Sequence, residues 1–174
     1  MSDGHVLESA LRVLADGGRE RFTLARAAAA AGVAAPTLLQ RYGSKADLLL
    51  AALAYNNAWL KVWLERQSRS DIPRLLGDIA AGFGEEPRFG EHLAMLGLDL
   101  EDPDTAALVA DRMELIRTAV LERLELRGPE RAAAARLIET HWHGAVVRWA
   151  TDRRGRVGAA VERSLRELME RTGW

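Results

Sequence analysis

Residues 23–42 read Thr-Leu-Ala-Arg-Ala-Ala-Ala-Ala-Ala-Gly-Val-Ala-Ala-Pro-Thr-Leu-Leu-Gln-Arg-Tyr. Thr23 can cap a short helix over Leu24 to Ala31. Gly32 stops it, since glycine tolerates the positive φ that a sharp turn needs. Pro36 suits the first turn of a second helix, where its missing N–H costs nothing. That helix reaches about Tyr42. Ala28 is small enough to let the two helices approach, and Val33 and Leu38 can fill the corner. Leu38 and Tyr42, four apart, face inward and leave Thr37, Gln40 and Arg41 facing outward. This is the geometry of a helix-turn-helix, whose second helix can enter a DNA major groove. An ordinary helical corner satisfies the same pattern.

Outward from this corner the chain reads as helix throughout. Apolar residues recur at spacings of 3 and 4, and Gly and Pro fall between those stretches. A first helix is expected from about His5 to Asp16, with Leu7, Leu11 and Leu14 as its stripe and Gly17-Gly18 as its end. Ser44 starts a long fourth helix, Lys45 to about Gln67, with Asp47 completing a capping-box-like pattern. Further helices are expected at about 71–84, 87–98, 103–126, 129–152 and 155–171. The fold class is all-α, with eight or nine helices.

The composition bounds the chemistry. The chain has 174 residues and no Cys, which removes disulfides, thiolate metal sites and thiol nucleophiles. Its longest charge-free windows, Ala27–Gln40 and Leu48–Leu60, fall short of the roughly 20 apolar residues of a membrane span. No signal peptide is visible, so a cytoplasmic protein is expected. The net charge is -1. Residues 19–45 nevertheless hold Arg19, Arg21, Arg26, Arg41 and Lys45 against Glu20 alone. A small basic tip on a neutral body suits a DNA-reading head, and also suits a solvated face without a partner. The balance of charge changes sign near residue 67.

Residues 5–55 resemble the N-terminal domain of the TetR family of bacterial transcriptional regulators. The shared features are the apolar first helix, Gly17-Gly18, Phe22-Thr23, Ala28 to Ala31, Gly32-Val33, Thr37-Leu38, Tyr42, Ser44-Lys45 and Leu48. The resemblance implies a three-helix DNA-binding domain over residues 1–46. Residues 47–174 would then form a helical ligand-binding and dimerisation domain. It implies DNA contacts from Thr23, Arg26, Ala35, Pro36, Thr37, Gln40, Arg41 and Lys45. Gln40 could pair with adenine and Arg41 with guanine, while Lys45, Thr23 and Arg26 meet phosphates. Some positions depart from the family. Ala34, Ala35 and Pro36 stand where a Ser cap is common, Gly43 replaces a common Pro, and Leu39 replaces a Tyr that contacts the DNA backbone. Leu39 can touch a thymine methyl but cannot donate to phosphate, which predicts weaker binding or an unusual site.

The resemblance also implies a homodimer paired through the last two helices. The apolar stripes Ile138, Trp142, Ala145 and Trp149, and Val161, Leu165 and Leu168, are the candidate seam. It further implies a small, mostly apolar effector held between the middle helices. Candidate contacts are Trp59, Trp63, Phe83, His92, Met95, Leu96, Met113, Ile116 and Arg117; plain core packing is the better explanation of any one of them, and a pocket that of the region as a whole. The fourth helix, roughly 33 Å long at 1.5 Å per residue, is expected to couple effector and DNA. No cofactor is implied.

Two rival readings differ in class. An enzyme has little to stand on, since no nucleophile elbow, P-loop or dinucleotide fingerprint occurs. His141 and His143 point about 200° apart on a helix, a poor arrangement for one metal. The other rival is a TetR-like helical dimer that has lost operator binding and acts through protein partners. It predicts no salt-dependent DNA affinity, whereas a DNA-binding regulator predicts a steep dependence.

Overall fold

The computed structural model describes residues 2–67, 70–82 and 102–174. Among these residues there are eight helices and no strand. They are α1 (Asp3–Arg21), α2 (Leu24–Ala31), α3 (Ala35–Tyr42), α4 (Lys45–Arg66), α5 (Ile72–Ala81), α6 (Pro103–Arg123), α7 (Gly128–Asp152) and α8 (Val157–Thr172). The helix expected at 87–98 lies outside the described residues, as do Phe83, His92, Met95 and Leu96.

Side-chain caps start three of the helices. Thr23 accepts the Arg26 N–H at 3.2 Å, and Asp71 accepts the Arg74 N–H at 2.8 Å, each capping its helix. Ser44 accepts the Asp47 N–H at 3.0 Å and donates its hydroxyl to the Asp47 carboxylate at 2.6 Å. The expected cap on α4 is therefore present. The first helix runs further than its glycines suggest. Gly17 stays helical and buried, and only Gly18 leaves helical geometry, at φ 64° and ψ 179°. The chain kinks there and turns once more before Phe22, whose N–H bonds the Gly18 carbonyl at 3.1 Å.

The chain divides into two compact units. One holds α1 to α3, α4 as far as Val62, and α6 as far as Arg112. Its core is built from Val6, Ala10, Leu14, Phe22, Ala27, Ala28, Ala31, Leu38, Leu48, Leu49 and Ala52, all buried. Asn57 donates to the Leu108 carbonyl at 2.8 Å within this unit.

The other unit holds the end of α4, α5, the rest of α6, α7 and α8. Leu75, Leu76, Ile116, Val120, Ile138, Trp142, Val157, Val161 and Leu165 are its buried core. The Trp142 indole N–H donates to the Leu76 carbonyl at 3.1 Å, and that of Trp149 to the Gly155 carbonyl at 2.9 Å. Arg123 donates to three carbonyls, those of Gln67, Ser70 and Ala119, at 2.8, 3.0 and 2.6 Å. A guanidinium suits this task because its donors are fixed in one plane.

This core takes in part of the candidate dimer seam. Ile138, Trp142, Trp149, Val161 and Leu165 are buried inside their own unit, and Ala145 and Leu168 are half-buried. The periodicity identified an apolar face correctly but could not say what covers it. The covering comes from α5 and from the α7–α8 pair itself.

Candidate nucleic-acid interface

The corner between α2 and α3 is a helix-turn-helix. Gly32 takes φ 70° and ψ 32°, and the Val33 N–H reaches back to the Ala28 carbonyl at 2.9 Å. That pair of features closes a left-handed helix cap. Ala28 and Leu38 are 1% exposed, so the corner is sealed by a small residue facing a large one. Pro36 lies in the first turn of α3, and Ala34 caps it without any side-chain hydrogen bond. Pro36 has no N–H to satisfy, and the Thr37 N–H bonds the Ala34 carbonyl at 3.0 Å.

Most of the expected contact residues are exposed, on α2, α3 and the start of α4. Pro36, Thr37, Gln40 and Arg41 on α3 are exposed, and Ala35 is half-buried. Leu39 is 51% exposed, an unusual position for a large apolar side chain. Thr23 and Arg26 are exposed at the start of α2, and Lys45 at the start of α4. Arg26 donates to the Arg21 carbonyl at 3.3 Å, and the Lys45 ammonium to the Arg19 carbonyl at 3.2 Å. Both cations are thereby tethered by neutral acceptors, and their charge remains available.

Arg41 is different. Its Nη2 contacts the Asp3 carboxylate, from the first turn of α1. The Tyr42 hydroxyl donates to the same carboxylate oxygen at 3.1 Å. The guanidinium lies 5.9 Å from the centre of the Tyr42 ring. Burial pushes the Tyr42 phenol up from its usual range, and the hydrogen bond to Asp3 pushes it the same way. Sequence reasoning missed Asp3, since 38 residues separate it from Arg41 and no periodicity connects them.

Residues 6–52 match the sequence profile of the bacterial regulatory proteins, tetR family. The match covers most of α1, all of α2 and α3, and the start of α4. The fold is shared with solved structures. A transcriptional regulator from Rhodococcus sp. Rha1 superposes with a TM-score of 0.73 at 18% identity, covering 98% of this chain and 97% of the other. The fatty acid degradation regulator FadR from Bacillus halodurans gives 0.63 at 18%, covering 97% and 98%. The TetR family transcriptional regulator PfmR from Thermus thermophilus gives 0.57 at 20%, covering 92% and 94%. At these identities the likeness is one of fold. No curated protein matches the chain.

The candidate effector residues are placed less favourably than the TetR-type head. Trp59 is 55% exposed in the first unit. In the second, Trp63 and Met113 are half-buried and Ile116 is buried in the core. Arg117 is paired with Glu139 at 3.1 Å and Glu114 at 2.8 Å, and its charge is neutralised within its own unit. Those carboxylates, Glu139 first, push the Arg117 guanidinium further up. Arg112 was not anticipated. Its Nη1 is buried without a hydrogen-bond partner among the described residues, and burial lowers its pKa. His141 and His143 do not converge. The first meets the Ser164 hydroxyl at 2.8 Å and the second the Glu139 carbonyl at 2.8 Å.

Proposed function

We propose that this chain is a DNA-binding transcriptional regulator that reads a palindromic operator as a homodimer and is released by a small, mostly apolar effector. The observation that carries the reading is the outward face of α3. Pro36, Thr37, Gln40 and Arg41 stand exposed on a short, sealed helix, with Lys45 at the start of the next. Gln40 and Arg41 match the bidentate chemistry of adenine and guanine, and Lys45, Thr23 and Arg26 that of phosphates.

One such head binds weakly, and two on a two-fold frame, spaced about 34–36 Å, read both halves of a palindrome. The outer face of α7 supports the dimer. Leu137 and Val147 are 55% and 47% exposed there, and Gly144 between them has open space above it. A second copy of this chain is the proposed occupant of that face, in place of the buried stripe. The apolar effector is supported by the fatty acid degradation regulator among the similar structures. Only a difference in affinity between the DNA-bound and free states would let such a molecule release the operator.

The test is a footprint of the purified protein on the DNA upstream of its own gene, at low and moderate salt. Protection of a palindrome is expected, lost in Arg41→Ala or Lys45→Ala. Absence of protection even at low salt would transfer the weight to a helical dimer acting through protein partners.

A further inference from the structure

We propose that Asp3 is a specificity-determining residue, which restrains Arg41 from general phosphate attraction and orients it for a base edge. The proposal rests on the DNA-binding reading above. Its basis is a three-part arrangement. Asp3 contacts Nη2 of Arg41, accepts the Tyr42 hydroxyl on the same oxygen, and the Tyr42 ring lies beside the guanidinium.

The physical consequence follows from how the two kinds of DNA contact differ. Attraction to phosphate depends on net charge and carries no sequence information. An Arg41 beside a carboxylate presents nearly no net charge, so its pull on any phosphate is reduced. Reading guanine depends on direction, through two N–H groups set against O6 and N7. A guanidinium has five N–H donors in a rigid plane, and the ion pair with Asp3 is made through Nη2. Enough donors remain for a bidentate contact. Tyr42 fixes the carboxylate, and the carboxylate fixes the arginine, so less rotamer freedom is lost on meeting a base. Asp3 therefore weakens binding to arbitrary DNA more than binding to the operator.

The experiment compares two probes, a duplex selected by the wild-type chain from a random-sequence pool and an unselected mixed-sequence duplex. Affinities are measured across a salt series for wild type, Asp3→Asn, Asp3→Glu, Arg41→Ala and the Asp3→Asn/Arg41→Ala double variant. Asp3→Asn is expected to tighten mixed-sequence binding roughly 2- to 5-fold, the scale of an exposed ion pair. Its log–log salt slope should steepen by about one phosphate contact, about 0.9. The preference for the selected duplex should fall, Asp3→Glu should restore it, and the gain should vanish in the Arg41→Ala background. Equal changes on both probes, no change on either, or a gain that survives without Arg41 would each overturn the proposal. A chain that binds both probes but is indifferent to Asp3→Asn sinks this proposal alone. A wild type and an Asp3→Asn variant that both fail to bind either probe at low salt sink the DNA reading and this proposal together.

Discussion

Gly77 and Gly158 meet backbone to backbone where α5 crosses α8. A Cβ on Gly77 would lie 2.8 Å from the Gly158 carbonyl oxygen, and one on Gly158 would lie 2.7 Å from the Gly77 carbonyl oxygen. Alanine is the better helix former by roughly 0.5–1 kcal/mol. Here the obstacle is backbone on both sides, which cannot swing away. Gly77→Ala or Gly158→Ala is therefore expected to destabilise the chain by about 1–3 kcal/mol, as overpacking does. Urea unfolding would measure it, and an unchanged midpoint would show that the two helices can separate freely.

Arg112 offers the opposite sign. A guanidinium nitrogen buried without an acceptor costs stability, because desolvation is not repaid by a hydrogen bond. Arg112→Met keeps most of the volume and removes the polar group. It is expected to stabilise the chain by about 1–3 kcal/mol, the usual cost of an unsatisfied buried group. A loss of stability in thermal unfolding would mean that Arg112 meets an anion or acceptor in the native protein.

The alkaline limb of stability should report Tyr42. Its phenol is raised above the ordinary value of 10.0, by burial first and then by the hydrogen bond to Asp3. A raised folded-state pKa means that the neutral form is favoured by folding. The contribution is complete below pH 10.0 and is lost as pH rises through the folded value. Tyr55, raised chiefly by its hydrogen bond to Glu8, acts with the same sign. Chemical denaturation at several pH values should give a shallower alkaline decline in Tyr42→Phe, and shallower still with Tyr55→Phe added. Identical slopes in wild type and both variants would contradict this.

The proposed dimer face has its own test. Leu137→Glu places a charge on the exposed side of α7, away from the buried stripe that begins at Ile138. Burying that charge against a second copy would be strongly unfavourable. Sedimentation velocity should show the variant as a monomer at concentrations where the wild type is dimeric, with unchanged helix content. A variant that still dimerises would place the seam elsewhere.

The sequence alone determined what depends on near neighbours. The caps at Thr23 and Ser44, the turn at Gly32 and the outward set Thr37, Gln40 and Arg41 all follow from side chains within a few residues of each other. Capping and helical periodicity are short-range physics, so they can be read along the chain. Only the tertiary structure decided what lies across space. It placed the α7 stripe of Ile138, Trp142 and Trp149 in the core and left Leu137 and Val147 outside. It paired Arg117 with Glu139 and left a nitrogen of Arg112 without a hydrogen-bond partner among the described residues. It also brought Asp3 to Arg41 and Tyr42. A helix shows the same periodicity whether its apolar face meets its own chain or another, and a charge pattern does not reveal which ions meet. Those outcomes depend on which helices pack together, and that is settled by the burial of the whole core.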